Sequence, residues 1–159
     1  MAAINFPSTP SNGQIHTENG ITYSYNSTTQ SWNRIVPSTT GCIAFGIDGG
    51  GSAITAGQKG TIEVPYDFDI IRWTIIADQS GSANIDMWSR DYSTTLPTAA
   101  NSVTGNIGMT LSAATANQSS AISNWRMTRL NAGNVITFNV QSSSTITRAI
   151  INLYGRKGQ

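Results

Sequence analysis

Between residues 70 and 88 apolar and polar side chains alternate with a regularity that few folds accommodate. In Ile70-Ile71-Arg72-Trp73-Thr74-Ile75-Ile76-Ala77-Asp78, a period of two places Ile71, Trp73, Ile75 and Ala77 on one face. After Gln79-Ser80-Gly81, the next run places Ala83, Ile85 and Met87 on one face and Asn84, Asp86 and Trp88 on the other. A helix would need apolar residues three and four apart, and the β-branched content together with Gly81 disfavours it. Two alternating runs joined by a short Ser-Gly turn predict a β-hairpin with one face in a core.

The rest of the composition agrees. Ser, Thr, Asn and Gly supply 68 of the 159 residues, and these favour turns and strand surfaces over helix interiors. An all-β protein is expected, long enough to bury a core in one medium domain with a small appendage. Charged residues are 11% and the net charge is +1, with seven arginines scattered among nine basic residues, so nucleic acid is not an expected partner. The single cysteine, Cys42, allows no intrachain disulfide and no cysteine-based zinc cluster, and it reads as a small strand residue. The start, Met1-Ala2-Ala3-Ile4-Asn5-Phe6-Pro7, lacks the basic and apolar regions of a signal peptide, and no apolar run approaches membrane-spanning length. A protein made and kept soluble in a cytoplasm is the expectation.

Two regions are expected, residues 1–40 and 41–159. Ala2 to Pro10 is an extended lead-in. Asn19-Gly20 between alternating segments is a strong hairpin signal, and a second turn at Asn26-Ser27-Thr28-Thr29 leads to Gln30–Val36. Residues 13 to 36 therefore read as a three-stranded meander whose apolar content is Ile21, Tyr23, Tyr25 and Trp32. It is too small to stand alone. Pro37–Gly41 reads as a linker. In the larger region, Cys42–Asp48 is a strand with Ile43, Phe45 and Ile47 on one face. Gly49-Gly50-Gly51-Ser52 and Gly57-Gln58-Lys59-Gly60 read as turns, and Thr61–Pro65 as a short edge strand ended by proline. Gly108–Leu111 and Ala121–Trp125 are weaker strands. Asn131-Ala132-Gly133-Asn134 turns into Val135–Val140, with Ile136, Phe138 and Val140 on one face. The last strand, Thr145–Tyr154, is apolar on both faces, Ala149, Ile151 and Leu153 against Ile146, Ile150 and Tyr154. Such a strand lies centrally or faces another subunit. About eight strands at this spacing predict a β-sandwich.

The stretch Phe6-Pro7-Ser8-Thr9-Pro10-Ser11-Asn12-Gly13-Gln14, followed by Asn19–Asn26 and Trp32, resembles a short module near the N-terminus of many tailed-bacteriophage fibre and virion structural proteins. Residues 42 to 154 resemble a second module of the same proteins. The stretches that carry it are Phe45–Ile54, Gly60–Pro65, Ile71-Arg72-Trp73, Ala77–Ser82 and Ile85-Asp86-Met87-Trp88. The turn at Asn131–Asn134 fits as well, although the family usually has Gly-Asp where this chain has Gly133-Asn134. The resemblance covers nearly the whole chain and implies a jelly-roll-like β-sandwich in a virion, assembled as a homotrimer in contact with other virion proteins.

Catalytic patterns are harder to find. The one histidine, His16, sits in the small hairpin as a cross-strand surface residue, and no Gly-x-Ser-x-Gly elbow supplies a nucleophile. Gly49-Gly50-Gly51 lacks the Gly-Lys-Ser/Thr of a phosphate loop. Asp67 and Asp69 share a strand face and could bind calcium with neighbouring carbonyls; the plainer reading is loop solubility and turn hydrogen bonding. No cofactor and no enzymatic activity are expected. Instead, Trp88, on the polar side of its run with Asp86 and Arg90 and followed by Tyr92, is a candidate contact surface for a host-surface glycan or a protein. Ile146, Ile150 and Tyr154 form a candidate subunit interface, and Tyr23, Tyr25 and Trp32 a candidate docking module. The function expected is a non-enzymatic tail fibre or tail-attached appendage, with a capsid decoration protein as the alternative.

Overall fold

The computed structural model describes residues 4–35 and 39–158. The remaining residues of the lead-in and of the linker, Ala2-Ala3 and Pro37-Ser38, lie outside them, as does Val36 at the end of the third predicted strand. Among the described residues the regular structure is β-strand, apart from one 3-10 turn at Ala99–Asn101. The chain divides into two compact units, one ending at residue 38 and the other beginning at residue 39.

The first unit is an antiparallel sheet of β1 (Ile15–Glu18), β2 (Ile21–Asn26) and β3 (Ser31–Ile35) in that order. Asn19 and Gly20 take φ of 51° and 76°, the paired positive values that match the right-handed twist of a two-residue hairpin. The Asn26 carboxamide accepts from the amides of Thr28 and Thr29 and shapes the second turn. Three short strands bury little, and rings fill the deficit. Phe6 of the lead-in stacks on Trp32 with centroids 5.0 Å apart, meets Tyr23 edge-on at 5.0 Å and lies 5.4 Å from His16. His16 is a cross-strand residue opposite Tyr23, but it is half-buried against Phe6 and Trp32 rather than on the surface.

The second unit contains β4 (Thr40–Asp48), β5 (Gly57–Glu63), β6 (Phe68–Asp91), β7 (Met109–Ser119), β8 (Arg129–Leu130), β9 (Asn134–Ser144) and β10 (Arg148–Lys157). The antiparallel sheet runs β4-β10-β6-β9-β5, with β7 and β8 also paired to β6, and it curls into a sandwich-like body. β10 lies between β4 and β6 in the sheet, but only one of its faces is covered: Ala149, Ile151 and Leu153 are buried while Ile150 is half exposed. Phe45 of β4 stacks on Phe138 of β9 at 4.6 Å, so the two halves of the curl meet across the core.

The expected hairpin over residues 70–88 does not form. Its two runs are one continuous strand of 24 residues, β6, and they do not pair with each other. The first half pairs with β10 through Ala149↔Ala77 to Lys157↔Phe68, and the second with β9 through Ser82↔Ser144 to Asp91↔Asn134. Gln79-Ser80-Gly81 is a corner. No residue from 79 to 82 takes the positive φ of a tight hairpin turn. The polar groups around it are committed elsewhere: Asp78 accepts from the backbone amides of Thr147 and Arg148, the Gln79 side-chain Nε2 donates to the Thr145 carbonyl, and Thr145 Oγ1 donates to Ser80 O. A side chain at Gly81 would place Cβ 2.3 Å from Thr145 Oγ1 and 2.5 Å from Ser144 O, so glycine there serves close approach.

Parity also shifts inside β6. Trp73 and Ile75 face the core as expected, but Ile71 is exposed and Ile70 takes the inward place. Ile71 is the extra residue of a β-bulge, where pairing passes from Tyr154↔Arg72 to Gly155↔Ile70. Thr40-Gly41 and Gly57–Gly60, expected as linker and turn, belong to β4 and β5. Ala121–Trp125 is not a strand, although Ile122 and Trp125 are buried. β5 is an edge strand, as Pro65 suggested.

Candidate interaction face

Antiparallel pairing of β4, β10, β6 and β7 turns alternate residues outward in rows across one sheet face. The first row is Gly46, Ile150, Ile76 and Ala116, all in direct register. The second is Ala44, Asn152, Thr74 and Gln118, and the third is Cys42, Tyr154 and Arg72. Ile150 and Ile76 are therefore cross-strand neighbours in the middle of the face, each about half exposed at 50% and 52%. With glycine on one side and alanine on the other, they stand as a ridge. Hollows of about 460 Å³, lined by Ile76, Ala116, Gln118 and Tyr154 among others, and about 220 Å³, between Asp78 and Arg148, flank it.

The rows beside the ridge are tied together by side-chain contacts. The Arg72 guanidinium lies 3.7 Å over the Tyr154 ring and donates to Gln118 Oε1 at 3.1 Å. Asn152 Nδ2 donates to Thr74 Oγ1 at 3.0 Å, and the Cys42 thiol faces Asn152 Oδ1 at 3.8 Å. Desolvation pushes the Cys42 thiol up against the opposing pull of Arg72, which keeps it protonated at neutral pH and a poor nucleophile. Another hollow, of about 430 Å³, lies between Cys42, the bulged Ile71, Arg72 and Tyr154. The face is thus apolar at its centre, with a fixed cation and ring at one end and the Asp48–Arg148 ion pair at the other.

Of the predicted interface residues, Ile150 and Tyr154 lie on this face. Ile146 does not: it precedes β10, in the connection from β9, and is fully buried in the core. The bulge adds Ile71, which parity had placed on the core face; parity already put Ile76 on the outer side, and register sets it beside Ile150. The predicted contact surface is not assembled. Trp88 is only 7% exposed and its indole N–H donates to Asp86 Oδ2 at 2.8 Å. Asp86 Oδ1 accepts from Met87 N at 2.8 Å, Ser102 Oγ at 2.9 Å and Thr104 Oγ1 at 2.6 Å. A carboxylate with four donors tethers the 98–108 segment to β6, and at 1% exposure it offers almost nothing to a partner. Arg90 is half-buried and bonds Thr95 Oγ1, while Tyr92 alone stands free, 77% exposed. Tyr23, Tyr25 and Trp32 are half-buried in the ring cluster of the first unit, with Tyr25 5.3 Å from Trp32.

Asp67 and Asp69 are held by one arginine. Arg129 Nη2 donates to Asp67 Oδ2 at 2.8 Å, and Nη1 spans both oxygens of Asp69 at 3.0 and 3.1 Å. The amide of Ala132 also donates to Asp67; that bond first, then Arg129, holds its carboxyl below the usual range. Their lone pairs serve the β8–β9 turn, and no group of three or more metal-ligating side chains occurs among the described residues. No helix among them is long and apolar enough to cross a membrane. Comparisons with family models, curated proteins and solved structures return no match.

Proposed function

We propose that this chain is a non-enzymatic virion structural protein, a tail fibre or tail-attached appendage of a tailed bacteriophage, that works by assembling and adhering. The virion assignment rests on the resemblance of its two segments to phage structural modules. The assembly mechanism rests on one observation, the half-exposed Ile76–Ile150 ridge at the centre of the β4-β10-β6 face. Fully burying an isoleucine contributes about 1.5–3 kcal/mol. The exposed halves of these two would add about 1 kcal/mol each when covered by a neighbouring copy, with the flanking rows supplying area and specificity. Three copies around an axis would also multiply weak surface contacts.

Light scattering of the full chain tests the mechanism. The wild type should be a trimer, and Ile76→Glu combined with Ile150→Glu should give a folded monomer with an unchanged circular dichroism spectrum. A wild type that stays monomeric, or a double variant that still assembles, would sink it. Copy number per particle separates a tail part from a capsid decoration protein, which would match the shell lattice in number.

A further inference from the structure

Three steps in the chain join an asparagine or aspartate to a glycine: Asn12-Gly13, Asn19-Gly20 and Asp48-Gly49. Glycine has no side chain to shield its own amide nitrogen, so that nitrogen can close on the carbonyl carbon of the preceding side chain. The fold treats the three steps differently. The Gly13 amide donates to Tyr25 O at 2.8 Å, and Asn12 Oδ1 accepts from Ser27 N at 3.0 Å. The Gly49 amide donates to Thr147 O at 2.8 Å, while Asp48 accepts from Gly50 N at 2.7 Å and pairs with Arg148. At both of these steps the nitrogen and the side chain that would react are already held.

Asn19-Gly20 is the exception. Both residues are exposed at the tip of the β1–β2 hairpin, beyond Glu18↔Ile21, the last pair of the ladder. A two-residue turn is closed by bonds between its flanking residues, and its own central amides stay unbonded. Accordingly, the Gly20 amide and the Asn19 carboxamide make no hydrogen bond among the described residues. A Cβ at Gly20 would meet nothing within 4 Å, so no neighbour packs on the tip to resist its rearrangement.

We propose that Asn19 is a site of spontaneous deamidation, converted by water to aspartate and isoaspartate while Asn12 is spared. The Gly20 nitrogen bonds to Asn19 Cγ, the Cγ–Nδ2 bond breaks, and Nδ2 leaves as ammonia with the proton that the Gly20 amide gives up. Water then opens the cyclic imide at either carbonyl. One opening gives aspartate. The other carries the main chain through Cβ and Cγ and lengthens the turn by one atom. Either product sets a new carboxylate beside Glu18, which holds the Asn5 amide at 2.7 Å next to Phe6 of the ring cluster. The formal net charge falls from +1 to zero. The conversion depends neither on assembly through the Ile76–Ile150 ridge nor on a place in a virion.

The test is storage of the full chain at mildly alkaline pH, both folded and in guanidinium chloride, with fragmentation mass spectrometry to place each amide-to-acid conversion. In the folded chain Asn19 should convert first, and an acidic species should grow on ion exchange in step with it. Each hydrogen bond that must open at Asn12 slows it roughly two- to tenfold, so Asn12 should lag Asn19 about tenfold. In guanidinium chloride, where neither step is held, Asn12 should draw level. Asn19→Gly leaves a Gly-Gly pair that suits the same turn and removes the reacting side chain, so the early acidic species should vanish. Asn12 converting as fast as Asn19 in the folded chain would overturn the proposal. So would an intact Asn19 in the folded chain once the denatured sample has converted, or an early acidic species that persists in Asn19→Gly.

Discussion

Asp86 offers the sharpest test of how the second unit holds together. Its carboxylate takes four donors at 2.6–2.9 Å and is almost fully buried. Two of these donors are fixed in place, the Met87 amide and the Trp88 indole; the hydroxyls of Ser102 and Thr104 can rotate. Those two hydroxyls in turn accept from the amides of Asn106 and Gly108, so the carboxylate sits at the root of a relay that orders the segment. Asp86→Ala strands at least the two fixed donors. A buried donor left without an acceptor costs about 1–3 kcal/mol, giving ~2–6 kcal/mol for the pair. Against a typical total of ~5–15 kcal/mol that is a large share. Urea unfolding of the full chain, followed by tryptophan fluorescence, reads the loss directly. Asp86→Asn keeps shape and one acceptor oxygen but turns an NH2 group toward donors, so it should fall between wild type and alanine. If alanine stays within about 1 kcal/mol of wild type, the carboxylate is not what holds the 98–108 segment, and the reasoning fails.

Gly81→Ala forces Cβ within 2.6 Å of three atoms of residues 144–146 and should cost about 1–3 kcal/mol, whereas Gly46→Ala, with nothing in reach, should be nearly silent; equal melting temperatures would refute the close-approach argument. The Asp78 carboxyl is held at about 2, chiefly by the Thr147 hydroxyl and then by the amide of Arg148. A carboxyl lowered by folding stabilises above its unfolded value of ~3.9 and loses that contribution as pH falls through about 2. Carboxyl NMR should therefore give Asp78 a midpoint well below that of an ordinary aspartate; a midpoint near ~4 would contradict the corner geometry. Arg129→Ala breaks an exposed fork and should move the unfolding free energy by no more than about 1 kcal/mol, measured in the same urea assay.

Local chemistry was readable where one residue's own preference decides the outcome. Asn19-Gly20 announces its turn because few other pairs take two positive φ angles, and the inward parity of Trp73, Ile85, Phe138 and Leu153 follows from period two. Parity was lost where a bulge inserted Ile71, since nothing in Ile70-Ile71-Arg72 says which residue is extra. The hairpin failed because Gln79-Ser80-Gly81 suits a turn or a corner equally, and the partner that decides, Thr145–Arg148, is more than sixty residues away. Trp88 and Asp86 do alternate away from Met87, but alternation cannot reveal that residues 102–104 fold over that side. Half of the interaction face was legible, Ile150 and Tyr154 from the doubly apolar last strand. Parity turned Ile76 outward too, but not toward Ile150, because the two join only through the pairing of β6 with β10.

One consequence of the unbroken β6 bears on engineering. Anyone choosing where to splice a tag or open the chain would be drawn to Gln79-Ser80-Gly81, the most loop-like tripeptide in that region. A cut there would sever the seam that stitches both halves of the body together. The Gly50-Gly51 turn, where added side chains would meet open space, is the place for such grafts.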